Sequence, residues 1–467
     1  MMKNDNKPTL ASTAAALADG STSSVALTEQ ALERITDSSG EGRLVYTRVY
    51  TEAALAAARG HDALRAHGVR VSPLAGIPIS IKDLFDVAGE VTLAGSKVRK
   101  DATPASADAP AIARLRRAGA VIVGKTNMSE FAFSGLGLNP HYGTPASPWD
   151  RANRRIPGGS TSGGAVSVSD GMALATIGTD TGGSLRIPAA FCDLVGFKPT
   201  AGRVSTEGGF PLSQSLDSVG PMANSVRCCA LLDALMTGDD DSAVMAAMAS
   251  TPPLDGLRLG VLQGYVLDGV DDTVAAAIQQ ALRWLAAAGA HVRDVTLQDL
   301  PRIPEINRKG GLIAAEAWAI HCQDLEVPAR AAMFDQRIVA RIRRGADMSS
   351  ADYIEVLRER AALNRQLHAA AAAVDLLVMP TVAIVPPLMA PLEADDALFA
   401  STNALALRNT TVANFMGSCA LSLPCHVPGS APVGLMLVAP PGADRRLLQL
   451  GATIEQTLNS NRGVSFA

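Results

Sequence analysis

The chain has 467 residues, of which 48% are hydrophobic and only 4% aromatic, and its formal net charge is −4. This length suits one large α/β domain or two to three average ones, and the aliphatic composition suits a core that contains a buried sheet. Acidic and basic residues are interspersed, so no basic stripe is present to neutralise a phosphate backbone. Nucleic acid is therefore not expected to be the main ligand.

The N-terminal half predicts helices first and then a helix–strand unit. Residues 8 to about 36 and 51–68 are predicted helices, so residues 1–70 form a helical N-terminal region. Residues 111–127 are predicted as a helix, a glycine-centred turn and a buried strand. The same pattern recurs at residues 276–297. A strand that follows a helix in this way is typical of a parallel sheet in an α/β protein.

The C-terminal part of the chain predicts a hairpin. Residues 418–425 and 432–440 are apolar strands joined by a short Pro/Gly connection, which makes the sheet mixed. Residues 238–256, with an acidic cluster and a Pro-Pro pair, are predicted to be an excursion between two halves of one sheet. The fold predicted for residues 1–467 is a single large α/β domain. Its central sheet is expected to be mixed, mostly parallel and covered by helices on both faces.

The cysteines and the apolar runs bear on where the protein works. None of the six cysteines, at positions 192, 228, 229, 322, 419 and 425, has the paired CxxC spacing of a zinc or redox site. Buried, reduced thiols in a reducing compartment are therefore expected. Residues 1–20 lack the sustained apolar segment of a signal peptide. The apolar run at 376–392 contains four prolines and is predicted to be a strand leading into a loop. These features predict a cytoplasmic protein without a membrane partner.

Three segments concentrate small and hydroxyl-bearing residues. They are GIPISIKD (76–83) with Lys82, RIPGGSTSGGAVSV (155–168) with Ser160, and GTDTGGSLRIP (178–188) with Ser184. Taken singly, each has a plainer interpretation. A lysine at a strand end is usually solvated, and a glycine–serine loop is often a turn or a phosphate cradle.

Cofactor and metal sites are not predicted. The segment GTDTGGS lacks the lysine of a P-loop, and GLGLNP (135–140) lacks the third glycine of a dinucleotide-binding fingerprint. The seven histidines are scattered, and no pair has the spacing of metal ligands. We therefore expect no cofactor and no metal ion.

Taken together, the three segments fit serine-based catalysis without histidine. A serine hydroxyl is a weak nucleophile that needs a base within hydrogen-bond reach, and a neutral lysine can be that base. Lysine is ordinarily charged at neutral pH. Burial of Lys82 among Ile77, Ile79 and Ile81 would favour the neutral amine.

The sequence resembles the amidase signature family. The motifs GIPISIKD, PGGSTSGGA and GTDTGGSLRIPAAFCDLVGFKPT carry this resemblance, which covers residues 74–222 and continues more weakly to residue 438. Members of the family use a Ser–cis-Ser–Lys triad. The resemblance implies the amidase signature fold, with Ser184 as the nucleophile and Lys82 as the base. It also implies that Ser160 is the bridging serine and that the Gly159–Ser160 peptide bond before it is cis.

The segment around Ser184 also predicts where a developing oxyanion would bind. The predicted oxyanion hole consists of four consecutive backbone N–H groups, those of Thr181, Gly182, Gly183 and Ser184. A side chain at either glycine would block the approach of the acyl group. Asp180 and Arg186 flank the four residues and are interpreted as a structural ion pair.

Within the family, the sequence favours a stand-alone amidase of the biuret- and carbamate-acting type, which residues 408–448 resemble. The predicted function is hydrolysis of small amides. Esters and carbamates (urethanes) are further candidate substrates, because an acyl-enzyme mechanism accepts different leaving groups. The alternative is the A subunit of a tRNA-dependent amidotransferase, which has the same triad but acts in a complex. The PLSQ element at 211–214 departs from that protein.

The sequence defines the substrate pocket less well than the triad. With core packing as an equal alternative, the candidate wall residues are Met128, Leu136, Phe210 and residues within 310–345. Residues 340–360 are interpreted as charged helical surface that says little about function. If Lys82 is not the base, His141 is the first alternative. The aliphatic surface and the habit of the family predict a homodimer.

Overall fold

The computed structural model describes residues 7–250 and 252–465. The strands of this part of the chain all join one sheet, in the order β1-β3-β2-β4-β6-β5-β10-β11-β9-β7-β8. In chain order they are β1 (Tyr46–Val49), β2 (Pro78–Lys82), β3 (Val121–Thr126), β4 (Ala175–Thr179), β5 (Val195–Lys198), β6 (Val219–Ala223), β7 (Arg258–Leu262), β8 (His291–Val295), β9 (Leu376–Pro380), β10 (Cys419–Pro424) and β11 (Gly434–Ala439).

The sheet contains both parallel and antiparallel pairs. Strand β2 runs parallel to β3 and β4, and β7 runs parallel to β8 and β9. The other six strand pairs in the described chain are antiparallel, including the predicted hairpin of β10 and β11. The prediction of a mixed sheet is therefore confirmed, whereas the prediction that it is mostly parallel is wrong. The connection between β5 and β6, residues 199–218, contains no helix, so the chain returns antiparallel there.

Both faces of the sheet are buried over its central strands, which explains their apolar sequences, whereas the edge strand β8 is largely exposed. Along β11, Leu435 and Leu437 belong to one hydrophobic cluster, whereas Met436 and Val438 belong to another. The same alternation occurs along β3, β9 and β10. Because successive side chains of a strand point to opposite faces, these clusters lie on the two sides of the sheet. The prediction that helices cover both faces is confirmed.

Helices supply the apolar surfaces that bury the sheet. Within the described residues, the α-helices in chain order are α1 (Leu10–Asp19), α2 (Ser24–Thr36), α3 (Gly42–Val45), α4 (Thr51–Ala66), α5 (Pro110–Arg117), α6 (Ser162–Ser169), α7 (Arg186–Phe191), α8 (Val226–Thr237), α9 (Asp241–Ala249), α10 (Asp272–Ala287), α11 (Arg302–Ile306), α12 (Gly311–Leu325), α13 (Pro328–Ala331), α14 (Gln336–Arg343), α15 (Ser350–Ala371), α16 (Met389–Ala394), α17 (Asp396–Phe415) and α18 (Asp444–Arg462). Short 3-10 helices lie at Lys97–Arg99, Glu130–Ala132, Arg151–Asn153 and Tyr265–Leu267.

Most of the predicted elements are present. Helix α5 leads into β3 and α10 leads into β8, as the repeated pattern predicts. Residues 376–392 form β9, a loop and the start of α16, and residues 238–256 contain α9. Strand β1 was not predicted; it lies at the sheet edge, where it pairs only with β3 in the described structure. Residues 1–6 of the predicted N-terminal helical region lie outside the described residues.

Two findings concern the apolar run and the thiols. Across residues 7–250 and 252–465, no helix is both long and apolar enough to span a bilayer. All six cysteines are free thiols, and five of them are buried; Cys322 is partly exposed. The predicted burial of the thiols is therefore confirmed at five positions and wrong at Cys322.

Candidate active site

Lys82 is the last residue of β2, which lies between β3 and β4. Its side chain is fully buried, and its Nζ donates hydrogen bonds to Oγ of Ser160 at 2.7 Å and to Oγ1 of Thr179 at 3.0 Å. Burial lowers the pKa of Lys82 to about 7, although the carboxylates of Asp217 and Asp180 act in the opposite direction. Near neutral pH, a large share of this side chain is therefore the neutral amine.

Ser160 lies in the glycine-rich loop that leads into α6. The peptide bond between Gly159 and Ser160 is cis, as the family resemblance implies. The Ser160 side chain is fully buried, and the next residue contacts the turn after β4: the backbone N–H of Thr161 donates to the carbonyl of Ser184 at 3.4 Å. This contact places Ser184 beside the hydrogen-bonded pair of Lys82 and Ser160.

Ser184 lies in the turn between β4 and α7 and is 3% exposed. Among the described residues, its hydroxyl has no hydrogen-bond partner. The structure thus joins Lys82 to Ser160 directly and brings Ser184 next to them through the backbone. The hydrogen bond between the two serine hydroxyls that a complete relay requires is not formed in this structure.

The same turn contains four consecutive backbone N–H groups that donate to no acceptor in the described part of the chain, those of Thr181, Gly182, Gly183 and Ser184. Gly183 has a φ of +141°, and a Cβ atom there would lie 2.2 Å from Oγ1 of Thr410, so only glycine fits. At Gly182, a Cβ would lie 3.5 Å from Leu407 and 3.7 Å from Thr411, which is ordinary contact. Of these two glycines, only Gly183 is therefore required to be glycine by the packing of the protein itself.

A buried ion pair connects the two ends of the turn. Nε and Nη2 of Arg186 donate to the two carboxylate oxygens of Asp180 at 3.0 and 2.9 Å, and neither side chain is exposed. Burial acts to raise the pKa of Asp180, but the charge of Arg186 outweighs it and holds the pKa at about 2. Asn414 of α17 donates from Nδ2 to the same carboxylate at 2.9 Å. The predicted structural pair is present, and it ties the turn to α17.

Sequence reasoning missed two side chains of this site. Thr179 accepts a hydrogen bond from Lys82. Asp217 accepts a short hydrogen bond from Oγ1 of Thr181, and its other oxygen accepts from the backbone N–H groups of Leu212 and Ser213 at 3.0 and 3.1 Å. Burial raises the pKa of Asp217 to about 6. The motif SLDSVGP (215–221) contains Asp217 and was the available signal for it. The motif does not indicate that the carboxylate contacts Thr181.

Two cavities reach the residues of this site. The first, of about 550 Å³, is bordered by Thr181, by part of α17 and by several residues between 303 and 344. The second, of about 460 Å³, is bordered by Thr179, Asp217 and Phe210. The first cavity therefore reaches the turn that carries Ser184 at Thr181, and the second reaches Thr179, the hydrogen-bond partner of Lys82.

The candidate wall residues lie in different places. Phe210 borders the second cavity, and the stretch 310–345 borders the first. Met128 and Leu136 border neither cavity, because both are fully buried in hydrophobic clusters, so the core-packing alternative describes them. Residues 340–360, interpreted as charged helical surface, contribute three arginines to the border of the first cavity: Arg341, Arg344 and Arg360.

His141, the alternative base, has a different partner. Its Nε2 lies 2.8 Å from Oε1 of Glu130, which also accepts from the hydroxyl of Ser96 at 2.6 Å. The hydrogen bonds of His141 within the described structure do not include Ser160 or Ser184. In residues 7–250 and 252–465, no group of three or more His, Cys, Asp or Glu side chains is arranged to hold a metal ion.

Known proteins resemble this chain over almost its whole length. The Amidase family model matches residues 26–448. The chain is 39% identical to 2-amino-5-chloromuconic acid deaminase of Comamonas testosteroni, over 88% of each chain. It is 36% identical to the A subunit of the glutamyl-tRNA(Gln) amidotransferase of Roseiflexus sp. (strain RS-1), over 95% of each chain. It is 34% identical to AtzE, the 1-carboxybiuret hydrolase subunit of Pseudomonas sp. (strain ADP), over 94% of this chain and 96% of that one. A crystal structure of an amidase superposes with a TM-score of 0.85 at 33% identity, covering 96% of this chain and 99% of that one.

Proposed function

Because the chain belongs to the amidase signature family and is a hydrolase of amide C–N bonds, we propose that it is a stand-alone amidohydrolase that forms an acyl-enzyme on Ser184. In this proposal Lys82 is the base and Ser160 passes the proton between Ser184 and Lys82. The backbone N–H groups of residues 181–184 form the oxyanion hole.

The observation that carries this proposal is the buried hydrogen bond between Lys82 and Ser160, 2.7 Å long. A lysine whose pKa is lowered to about 7 can accept a proton near neutral pH, which an ordinary lysine cannot. The free N–H groups beside Ser184 support the same reaction, because they have no other acceptor in the described chain. The proposal does not require the hydrogen bond between Ser160 and Ser184 in this structure, since catalytic hydrogen bonds often tighten only in the substrate complex.

The proposed reaction has two halves. First, Oγ of Ser184 attacks the substrate carbonyl carbon while its proton passes to Ser160 and the proton of Ser160 passes to the neutral amine of Lys82. The oxyanion of the tetrahedral intermediate accepts hydrogen bonds from the backbone N–H groups of the turn, each typically worth about 2.7–4 kcal/mol. The proton then returns through Ser160 to the leaving nitrogen as the C–N bond breaks. Water attacks the acyl-enzyme through the same relay and releases the acid.

The substrates we propose are small amides, with esters and carbamates as further candidates. All three present a carbonyl carbon to Ser184 and differ mainly in the leaving group, which the acyl-enzyme step tolerates. Two of the relatives, the chloromuconic acid deaminase and the carboxybiuret hydrolase protein AtzE, support small molecules as substrates.

A second candidate function is supported by six relatives, all of them A subunits of glutamyl-tRNA(Gln) amidotransferases that are 34–36% identical to this chain. The identity of 36% to the A subunit of an amidotransferase extends over 95% of each chain. In that role the chain would need partner subunits for its physiological reaction. Activity of the purified chain alone separates the two proposals.

The test is hydrolysis of a panel of small 4-nitroanilides by the purified chain, with release of 4-nitroaniline followed by absorbance. We expect turnover by the wild type and a loss of at least a thousandfold in kcat for Ser184→Ala. Ser162→Ala is the matched control, because Ser162 is the first residue of α6, two residues after Ser160, and its buried hydroxyl has no partner in the described chain. Equal activity of the Ser184→Ala variant and the wild type would contradict the nucleophile assignment.

A fluorophosphonate probe gives a second readout that does not depend on the substrate. We expect mass spectrometry to locate the covalent adduct on the peptide that contains Ser184. An adduct on another serine would contradict the proposal.

The location and the assembly of the protein remain proposals. The free cysteines support a reducing compartment such as the cytoplasm. A homodimer is expected from the habit of the family, and sedimentation of the purified chain tests it.

A further inference from the structure

The larger cavity beside the Ser184 turn is strongly basic. We call it the basic cavity and define it by the five arginines on its border: Arg308, Arg341, Arg344, Arg360 and Arg408. No acidic residue and no lysine border it within the described structure. Its other walls are largely apolar and include Leu312, Leu407 and Phe415. Its volume of about 550 Å³ lies in the range of small-molecule sites.

The five arginines share an unusual electrostatic state, because none of them forms a salt bridge in the described part of the chain. Their neighbours on the same or adjoining helices do: Arg302 pairs with Glu359 at 2.7 Å, and Arg337 pairs with Asp396 at 2.7 Å. Four of the arginines of the cavity instead donate to uncharged acceptors, which are backbone carbonyls and, for Arg408, also the side-chain amide oxygen of Asn409 at 2.9 Å. Five unpaired positive charges around one cavity repel one another and attract an anion.

Arg341 shows most directly that a partner is missing. It is half-buried, its Cζ lies 4.5 Å from the centre of the Phe133 ring, and its Nε is a buried donor without any acceptor in the described chain. Burial, together with the like charge of Arg344, lowers the pKa of Arg341 to about 10. A buried donor without an acceptor costs free energy, and this side chain gains most from a bound anion.

Two other arginines connect the basic cavity to the reacting turn. Arg408 precedes Thr411 by one turn of α17, and the hydroxyl of Thr411 donates to the carbonyl of Gly182 at 3.5 Å. Arg360 donates to the carbonyls of Asn414 and Phe415 at 3.3 and 2.8 Å. Because Thr181 borders the same cavity, a ligand there lies next to the proposed oxyanion hole.

We propose that the substrate is a small amide that carries a carboxylate, and that the guanidinium groups of the basic cavity bind this carboxylate while the scissile carbonyl lies at the Ser184 turn. The planar guanidinium matches the two oxygens of a carboxylate. The apolar walls accommodate a short hydrocarbon segment between the two polar ends. This inference rests on the amidase function proposed above and narrows its substrate class.

The test compares matched substrates. The 4-nitroanilides of succinic, glutaric and adipic acid carry a free carboxylate on the acyl side, and their methyl esters are the uncharged counterparts. N-acetyl derivatives of 4-aminobenzoate and of its methyl ester place the same difference on the amine side. We expect at least one carboxylate to be hydrolysed with a kcat/KM at least tenfold above that of its ester. Equal values in every pair would overturn the inference and leave the amidase function intact.

Substitutions connect the preference to the cavity. Arg341→Gln and, separately, Arg344→Gln should each reduce the ratio of kcat/KM for the carboxylate to that for the ester about tenfold, mainly through KM. Arg344 is exposed, so its variant tests the idea even if Arg341→Gln fails to fold. The matched control is Arg337→Gln, which lies on the same helix but outside the cavity and should keep the wild-type ratio. An unchanged ratio in both cavity variants would overturn the assignment.

A protection experiment distinguishes failure of this inference from failure of the proposed function. Adipate and glutarate should slow the fluorophosphonate labelling of Ser184, and hexane-1,6-diol, which has neither a carboxylate nor an amide, should not at the same concentration. Labelling of Ser184 that adipate does not slow refutes the carboxylate site alone. Absence of any labelling at Ser184 refutes the proposed function, and the substrate inference falls with it.

Discussion

Replacing Lys82 by Met should abolish activity and yet stabilise the protein at neutral pH. Methionine fills a similar volume without a charge to bury. The native pKa of Lys82, about 7, lies below the ordinary value of 10.5. The unfolded chain therefore binds more protons than the folded one between these values, and the stability of the wild type rises with pH across this window. At pH 7 the desolvated amine costs about 4 kcal/mol of folding free energy, and at pH 10 it costs less than about 1 kcal/mol.

The hydrogen bonds of Lys82 reduce the expected gain. Its contacts with Ser160 and Thr179 stabilise the wild type by about 1 kcal/mol each, and the variant loses both. We therefore expect Lys82→Met to be about 2 kcal/mol more stable than the wild type at pH 7 and about 1 kcal/mol less stable at pH 10.

The assay is urea denaturation of both proteins at pH 7 and pH 10, followed by the fluorescence of the three tryptophans. Contributions of titrating groups that do not interact with Lys82 cancel in the difference between the proteins. A variant that is less stable than the wild type by the same amount at both pH values would refute the reasoning, because Lys82 would then be no harder to charge in the folded protein than in the unfolded chain.

Three further predictions concern the relay and the turn. In the wild type, kcat/KM should rise about tenfold from pH 6 to pH 8 and then level off, because the neutral share of a base with a pKa of about 7 rises in this way. Lys82→Arg should lose this rise of kcat/KM with pH together with almost all activity, because a guanidinium is not deprotonated in proteins. Ser160→Ala should retain more activity than Lys82→Met in the nitroanilide assay, because water can replace the missing hydroxyl; a loss as large as that of Lys82→Met would show that Ser160 does more than pass a proton. Gly183→Ala should lower kcat at least a hundredfold and destabilise the protein by about 2 kcal/mol, because the new Cβ collides with Thr410, whereas Gly182→Ala, which has space, should keep the stability of the wild type in the same urea titration.

The local elements that carry the site could be predicted from the sequence. Which of their side chains meet in the folded protein could be predicted less well. The apolar run before Lys82 and the glycines around Ser160 and Ser184 identify a strand and two turns, because these local patterns depend on neighbours along the chain. Asp217 lies in a quoted motif, but its hydrogen bond to Thr181 depends on how the connection between β5 and β6 folds back. No local pattern reports such a contact.

The arginines of the basic cavity show more clearly what local sequence patterns do not predict. They come from four places over about one hundred residues of sequence: the loop after α11, the C-terminal end of α14, the middle of α15 and the second half of α17. The sequence of each helix by itself predicts that such an arginine is exposed to solvent, since charged side chains usually are. Only the packing of these helices around one cavity distinguishes Arg341 from Arg337, which lies one turn earlier and has a carboxylate partner.

Local sequence patterns led to a wrong prediction for one feature of the fold, the relative direction of paired strands. The helix–turn–strand units before β3 and β8 are real, and both strands have parallel neighbours. Extending that pattern to the whole sheet failed because its central strands β6, β5, β10 and β11 pair through antiparallel contacts between distant or hairpin-linked segments. Pairing of this kind is set by tertiary structure rather than by the period of apolar residues.

The position of the C-terminal hairpin determines when activity can arise during synthesis. Strands β10 and β11 are translated last, yet they lie in the middle of the sheet, between β5 and β9. Helix α17, made shortly before them, supplies Asn414 and Thr410 to the turn that carries Ser184. A nascent chain therefore contains Lys82, Ser160 and Ser184 long before its sheet can close or that turn is held in place. We therefore expect a chain that ends before β10 to fail to hydrolyse amides.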